Sequence, residues 1–285
     1  MTQLMYAKNN LYESYDGFRF SEVFSSNIPD VTQRTTLENL NYAINLCETW
    51  GTSLDVGGGD GRFLRALSTR FKQNILVEIS EKPEHKTILA QHKNISIHHQ
   101  LIEDYQGKTK IDFILLADVY EHIPAIEPFA QKISSLQDIG GVVYIMTPNP
   151  IVCGPADESG LHHTRHPYGH IKHYPTNEIC DLMKRNGYEL IFLRFEEGPY
   201  RQRAKGIIFA LSRRDKAWKN NILYSLIRPF VLLLSRMLCA FLDSRTHRAE
   251  KKDADHRFSG ITQDLAFKKV RTYCNHLPSD TVHTV

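Results

Sequence analysis

Residues 54–67 read LDVGGGDGRFLRAL, with four glycines in five positions between a short apolar run and a helix-forming stretch. Glycine loses more backbone entropy on folding than other residues, so such a cluster marks a tight turn or a close approach to the backbone. A glycine turn between a strand and a helix places backbone N–H groups at the carboxyl edge of a sheet, where open α/β folds bind ligands. The segment therefore predicts a ligand-binding turn in an α/β fold.

Strand-like and helix-like segments alternate after this turn. The apolar runs NILVEIS, IDFILLAD and GVVYIMT are separated by helical patterns, as in βαβ units with a parallel sheet. The runs YELIFLRF and AKGIIFALS follow each other too closely for a crossover helix, so they are predicted to pair as a hairpin. The predicted fold is a doubly wound α/β sheet that ends in one antiparallel strand.

The chain divides into four predicted regions. They are an N-terminal arm and helix at 1–50, the α/β domain at 51–214, a hydrophobic helical segment at 215–245 and a polar C-terminal tail at 246–285. The tail has mixed charge and little apolar periodicity before Leu265, so we expect a weakly ordered extension.

The segment 221–242 is a predicted helix that is apolar around most of its surface and flanked by basic residues. Two arginines and Pro229 within it disfavour a membrane-spanning helix, because each charge costs about 2.5–3.5 kcal/mol at a bilayer centre on insertion scales. Two alternatives stay open. The helix lies in a membrane interface, or it packs on protein, either on its own domain or in a homodimer.

Composition and charge favour some classes of protein over others. The net charge of +3 gives no support to nucleic-acid binding, so no nucleic-acid partner is expected. The five cysteines form no CxxC pair and the N-terminus shows no secretory pattern, which is typical of a reducing compartment. We expect a cytoplasmic protein, with peripheral contact to the inner face of the cell membrane as the alternative that the segment 221–242 raises.

The glycine turn is acidic. Asp55 precedes it, Asp60 lies within it, and the spacing is GxGxG rather than the dinucleotide pattern GxGxxG. Carboxylates repel a pyrophosphate and attract an ammonium or sulfonium group, so a cationic ligand is favoured. Glu78 ends the next strand about 20 residues on, where an acid can accept both hydroxyls of a ribose.

The segments LDVGGGDGRFLRAL, VEIS, IED and FILLADVYEHI resemble successive motifs of class I S-adenosylmethionine-dependent methyltransferases, especially the branch that contains ubiquinone-pathway and related small-molecule methyltransferases. The resemblance covers about residues 53–212. It implies a Rossmann-like, seven-stranded sheet with a terminal antiparallel strand, here followed by a C-terminal helical appendage. It also implies S-adenosylmethionine as the cofactor, held by the domain at 51–214.

The resemblance implies a set of cofactor-binding residues. The glycines contact the methionine part, Asp55 lies near its amino group, Glu78 binds the ribose, and Asp118 with Val119 lies beside the methionine chain. The full set is Asp55, Gly57, Gly58, Gly59, Gly61, Glu78, Ile79, Leu101, Ile102, Asp118 and Val119. The chain departs from the family at Leu101 and Ile102, where an acidic residue often lies near the adenine.

Methyl transfer from a sulfonium is an in-line displacement, and a histidine can accept the proton of a hydroxyl nucleophile. The loop LHHTRHPYGHIKHYP is rich in histidines, and its part GHIKHYPTNEI resembles the segment that helps form the family's acceptor pocket. The predicted catalytic residues are therefore His122, His170, His173 and Tyr174. No metal site is predicted, because no cysteine lies at ligand spacing and the loop lacks an HxxxH helix.

The predicted function is S-adenosylmethionine-dependent methyl transfer to a small-molecule acceptor, with an oxygen as the expected methylated atom. The apolar segment 221–242 raises the hypothesis that the acceptor is lipid-linked, such as a polyprenyl-tethered quinone precursor or an envelope glycan. The alternative function is a catalytically inactive binding or regulatory subunit with the same fold. The intact glycine turn and Glu78 count against that alternative.

Overall fold

The computed structural model describes residues 33–153, 170–196, 220–252 and 262–272, with isolated positions between 207 and 218. Its helices are α1 (Gln33–Ile44), α2 (Arg62–Leu67), α3 (Pro83–Gln91), α4 (Ile126–Ser135), α5 (Pro150–Cys153), α6 (Thr176–Arg185) and α7 (Ile222–Lys252). Its strands are β1 (Thr52–Val56), β2 (Gln73–Val77), β3 (Ile95–His98), β4 (Phe113–Ala117), β5 (Val142–Pro148), β6 (Tyr188–Glu196) and β7 (Thr262–Lys269). Short 3₁₀ turns lie at Ile102–Asp104 and Tyr120–His122.

The strands form one seven-stranded sheet in the order β3-β2-β1-β4-β5-β7-β6. Strands β1 to β5 pair in parallel, whereas β7 runs antiparallel to both β5 and β6. The predicted α/β sheet with seven strands and an antiparallel strand near its end is therefore confirmed.

Both faces of the central strands are covered. One apolar cluster contains Leu54, Ile114 and Phe129, and the cluster on the other face contains Phe113 and Tyr144. Every residue of β5 is buried, as expected for a strand between two layers of helices. Because β1, β2, β4 and β5 are parallel, their carboxyl ends open on the same edge of the sheet.

The partner of β6 differs from the predicted one. The hairpin was predicted to pair 188–195 with 204–212, but Ile207 and Ala210 are helical and 262–269 forms β7. The register runs from Glu196 opposite Thr262 to Tyr188 opposite Lys269. The antiparallel pair exists, and residues 197–261 are inserted between its strands. The expectation of a weakly ordered tail is wrong for 262–269.

Buried polar side chains explain why β7 was missed. Gln263 is fully buried, and its amide nitrogen donates hydrogen bonds to the carbonyls of Pro148 and Tyr174 at 3.1 and 2.7 Å. Asp264 is also fully buried and accepts hydrogen bonds from Tyr144 and Asn39, each at 2.8 Å. Five of the eight residues of β7 are polar or charged, so no apolar run marks this strand in the sequence although most of it is buried.

The predicted apolar helix 221–242 is the first two-thirds of α7, which has Pro229 inside it. Tyr224 and Ser235 are buried, and a broad stripe of apolar side chains is exposed. The stripe consists of Leu223, Leu226, Ile227, Phe230, Leu233, Leu234, Met237, Leu238 and Phe241. Among the described helices, none is long and apolar enough to cross a membrane.

The buried position of β7 gives a stability prediction. Leu265 is 0 % exposed in the sheet, whereas Leu226 on α7 is 76 % exposed. Leu265→Ala should lower the free energy of unfolding by about 2–5 kcal/mol, because it leaves a cavity in the core. The matched change Leu226→Ala should alter it by less than about 0.5 kcal/mol. Urea unfolding of both variants checks this; equal effects would place β7 outside the core.

Candidate active site

The glycine turn after β1 has a left-handed backbone at alternate positions. Gly57, Gly59 and Gly61 have φ angles of 65°, 55° and 73°. The Gly57 amide donates a hydrogen bond to the Val77 carbonyl at 2.7 Å, and a Cβ at Gly57 would lie 2.8 Å from a methyl group of Val119. Glycine at position 57 thus lets the turn after β1 touch the segment after β4.

Helix α3 supports the turn from below. One ring nitrogen of the buried His85, Nε2, lies 2.7 Å from the Gly59 carbonyl oxygen. A Cβ atom at Gly61 would lie 2.6 Å from Cδ1 of Ile88. His85 could not be identified from the sequence, because its contact is with a backbone carbonyl 26 residues away. His85 and Ile88 thus hold the glycine turn against α3.

Glu78 lies directly after β2 and reaches across to the same turn. Its Oε2 accepts a hydrogen bond from the Gly59 amide at 3.0 Å, and its Oε1 accepts from the amide and hydroxyl of Ser80 at 3.1 and 3.0 Å. The neighbouring Ile79 is exposed. The structure therefore brings Glu78 and the glycine turn together, as their sequence positions predicted.

Asp55 lies beneath the turn and is fully buried. A Cβ at Gly58 would lie 2.4 Å from its carboxylate, and neither carboxylate oxygen has a hydrogen-bond partner among the described residues. Burial, with smaller contributions from Glu78 and Asp60, raises the pKa of Asp55 to about 8. A buried carboxylate of this kind is stabilised by a cationic group placed beside it.

The remaining predicted cofactor residues lie at the ends of β3 and β4. Leu101 and Ile102 follow β3, with Ile102 buried in the first 3₁₀ turn. Asp118 follows β4, is exposed and has a φ of 54°, an uncommon conformation for a residue other than glycine. Val119 is buried against Gly57. All eleven predicted residues thus lie at the carboxyl edge of β1 to β4.

Three predicted catalytic histidines meet at the same edge. His122 lies in the 3₁₀ turn after β4, and His170 and His173 lie in the segment before α6. The ring of His170 is 4.8 Å from that of His122 and 5.0 Å from that of His173, measured between centroids. One ring nitrogen of His170, Nδ1, lies 2.7 Å from Nε2 of His173. The cluster joins two segments that are about 50 residues apart.

Glu121 completes this cluster and was not singled out in the sequence. It is fully buried; its Oε2 accepts a hydrogen bond from the Thr147 hydroxyl at 2.9 Å, and its Oε1 is 3.9 Å from Nε2 of His170. Burial, then the charge of Asp118, raises the pKa of Glu121 well above its usual range. The one available signal was an acid next to His122 in the motif DVYEHI.

The backbone of Glu121 also holds the histidine segment in place. Its carbonyl accepts hydrogen bonds from the amides of Ile171 and Lys172, at 2.8 and 3.3 Å. These bonds tie the turn after β4 to the segment that carries His170 and His173.

Tyr174 is mainly buried in the core. Its ring packs edge-on against Tyr120 with centroids 5.2 Å apart, and its hydroxyl donates to the Ile123 carbonyl at 3.5 Å. It thus forms a wall next to the histidines. The other histidines of the predicted loop, at 162, 163 and 166, lie outside the described residues, as does the N-terminal arm 1–32.

Residues 29–193 match a family profile described as a methyltransferase domain, which is more than half of the chain. No curated protein matches the sequence significantly.

Solved structures of low sequence identity share the fold. Coclaurine N-methyltransferase bound to N-methylheliamine and SAH matches with a TM-score of 0.54 and 15% identity, over 82% of this chain and 72% of that one. A SAM dependent methyltransferase from Archaeoglobus fulgidus gives 0.51 and 15%, over 83% and 94%. The cyclase SpnF gives 0.55 and 11%, over 84% and 83%. At such identity these likenesses show the fold alone.

Proposed function

Since the chain belongs to the methyltransferase-domain family and is a class I S-adenosylmethionine-dependent methyltransferase, we propose that it methylates an oxygen atom of a small-molecule acceptor. The observation that carries the proposal is the pairing of two groups at one sheet edge. A buried carboxylate lies under the glycine turn, and a histidine cluster lies beyond the end of β4. The first suits a cationic donor and the second suits activation of an acceptor.

On the donor side, we assign the ammonium group of the cofactor to Asp55, since a buried carboxylate gains most from a positive charge nearby. Glu78 follows β2, the strand next to β1, and we assign it to the ribose hydroxyls. When the cofactor binds, these hydroxyls would replace the Gly59 amide as donors to the Glu78 carboxylate. Leu101 and Ile102 lie beyond the next strand and are assigned to the adenine. Asp118, Val119 and the glycines are assigned to the methionine chain.

On the acceptor side, we assign His122, His170, His173 and Tyr174. A hydroxyl group has a pKa far above 7, so its attack on a methyl carbon needs a group that removes or weakens its proton. A cluster of three imidazoles and one buried carboxylate meets that need. This chemistry favours oxygen as the methylated atom.

The alternative is a binding or regulatory subunit without catalysis. The fold alone does not separate the two functions, because a cyclase also shares it. The alternative gives no reason for Glu121 and three histidines to meet beside the donor site.

The pKa of Asp55 gives a pH-dependent prediction for binding of S-adenosylhomocysteine. The free carboxyl is protonated below about pH 8 and must lose its proton to pair with an ammonium group. The association constant should therefore rise with pH, by up to about tenfold per unit below the pKa, until the ammonium group of the ligand itself begins to lose its proton. Calorimetry measures both the affinity and the proton release. Asp55→Asn should bind weakly with a flatter profile; a flat profile for the native protein would contradict the assignment.

The activity itself is tested with methyl-labelled S-adenosylmethionine and fractionated cell extract. We expect the label in a small-molecule product as an O-methyl ether, identified by mass spectrometry, and much less label with Asp55→Asn. Label on nitrogen would contradict oxygen as the methylated atom. Extraction of the product into an organic phase would support a lipid-linked acceptor. A protein that binds S-adenosylhomocysteine but transfers no label to any fraction would favour the regulatory alternative.

We also propose that the exposed stripe of α7 contacts an anionic lipid surface, where a lipid-linked acceptor would reside. Nine large apolar side chains between Leu223 and Phe241 are exposed on this helix. Basic residues follow them, with Arg245 exposed beside the Phe241 ring and Arg248, Lys251 and Lys252 further along the sequence. An apolar stripe flanked by cations is typical of helices that lie in a membrane interface.

Co-sedimentation with vesicles rich in phosphatidylserine tests this contact. Truncation before α7 is unsuitable because it would remove β7, so the test uses Leu226→Ser, Phe230→Ser and Leu233→Ser combined. The bound fraction should fall strongly, while the control triple Leu89→Ser, Ile139→Ser and Leu190→Ser, at exposed positions elsewhere, should bind like the native chain. The native chain could instead form a stable dimer that does not bind vesicles. If the combined Leu226→Ser, Phe230→Ser and Leu233→Ser variant dissociates that dimer, the stripe belongs to a homodimer interface.

A further inference from the structure

The cluster of Glu121, His122 and His170 has the arrangement of a metal-ion site. One carboxylate oxygen and one ring nitrogen from each histidine all lie within 4.8 Å of one another. The sequence prediction of no metal site rested on local spacing alone. These three residues come from two segments that only the fold brings together.

The distance between Glu121 and His170 fits two ligands that share one metal ion better than it fits a direct hydrogen bond. Oε1 and Nε2 are 3.9 Å apart, which is longer than a hydrogen bond. Zinc binds nitrogen and oxygen ligands at about 2.0–2.2 Å, which places neighbouring ligand atoms about 3–4 Å apart. The observed separation matches that spacing.

The neighbouring hydrogen bonds orient both ligands. Thr147 donates to Oε2 of Glu121, which leaves Oε1 directed at His170. In the tautomer whose Nδ1 carries the proton, His170 donates to Nε2 of His173 and offers its own Nε2 as a nitrogen ligand on the side of Oε1. Ligating histidines usually donate their second ring N–H to such a partner.

Burial supplies a second, independent argument. Glu121 is fully buried, and its Oε1 has no hydrogen-bond donor among the described residues. A buried carboxylate oxygen without a donor is costly unless a positive charge lies beside it. His170 alone, at 3.9 Å, does not provide a hydrogen bond.

We propose that Glu121, His122 and His170 bind a divalent transition-metal ion, with His173 and Thr147 as positioning residues. Two imidazoles and one carboxylate suit zinc and its neighbours and leave coordination positions open. The role of the ion rests on the proposed function: Glu121, His122 and His170 would hold the ion, which would lower the pKa of a bound acceptor hydroxyl so that its proton passes to solvent as the oxygen attacks the methyl carbon. The C–S bond breaks, its electron pair stays on sulfur, and neutral S-adenosylhomocysteine leaves.

The test uses untagged protein incubated with Zn²⁺ and then desalted. Elemental analysis should find about one ion per chain, and Co²⁺ should give a visible absorption band of a nitrogen- and oxygen-bound ion. Glu121→Gln and His170→Ala should lose both signals, and His173→Ala should weaken binding about 10–100-fold. The control His92→Ala, at the end of α3, should behave like the native chain.

Two results would overturn the inference: a native protein that retains no stoichiometric metal, or Glu121→Gln and His170→Ala variants that bind as much as the native protein. Calorimetry with S-adenosylhomocysteine on the same samples shows that each variant is folded. It also separates the two proposals. Cofactor binding without metal refutes the metal site alone, whereas metal binding without the cofactor refutes the proposed function.

Discussion

The contact between two loops at the carboxyl edge of the sheet determines the geometry of the site. Because Gly57 has no side chain, the turn after β1 lies against Val119, which follows β4. From Val119 the chain enters the 3₁₀ turn that carries Glu121 and His122. The glycine turn and the histidine cluster are therefore joined through the close approach of Gly57 to the Val119 side chain, and a side chain at position 57 would separate them.

Much of the sheet could be predicted because β1 to β5 follow simple rules. Short apolar runs alternate with helical patterns, and parallel strands buried on both faces need no polar alternation. The exception was β7, whose consecutive Gln263 and Asp264 are buried among Thr176, Tyr144 and Asn39. Their partners lie about 90–225 residues away in sequence, so no local pattern could show that these polar residues belong in the core.

The sequence could place residues that belong to short motifs, and it could not place residues whose neighbours come from distant segments. The positions of Asp55, the glycines and Glu78 follow from one strand–turn–helix unit and the strand beside it. The neighbours of Glu121 are Thr147 in β5 and His170 in the segment that precedes α6. Neither is close to Glu121 in sequence, so only the fold shows that this carboxyl group belongs to the cluster. His85 contacts the Gly59 carbonyl. Every residue has such a carbonyl, so no residue type marks this contact in the sequence.

Helix α7 joins two adjacent, paired strands rather than extending from the end of the fold. Glu196 and Thr262 lie opposite each other in the sheet, so the chain leaves β6 and returns to β7 at nearly the same point. The ladder between β6 and β7 therefore extends from Tyr188/Lys269 to Glu196/Thr262, although residues 197–261 separate the two strands at that end. The length of the insertion does not alter the register of the pair, because both of its ends are fixed by the same two facing residues.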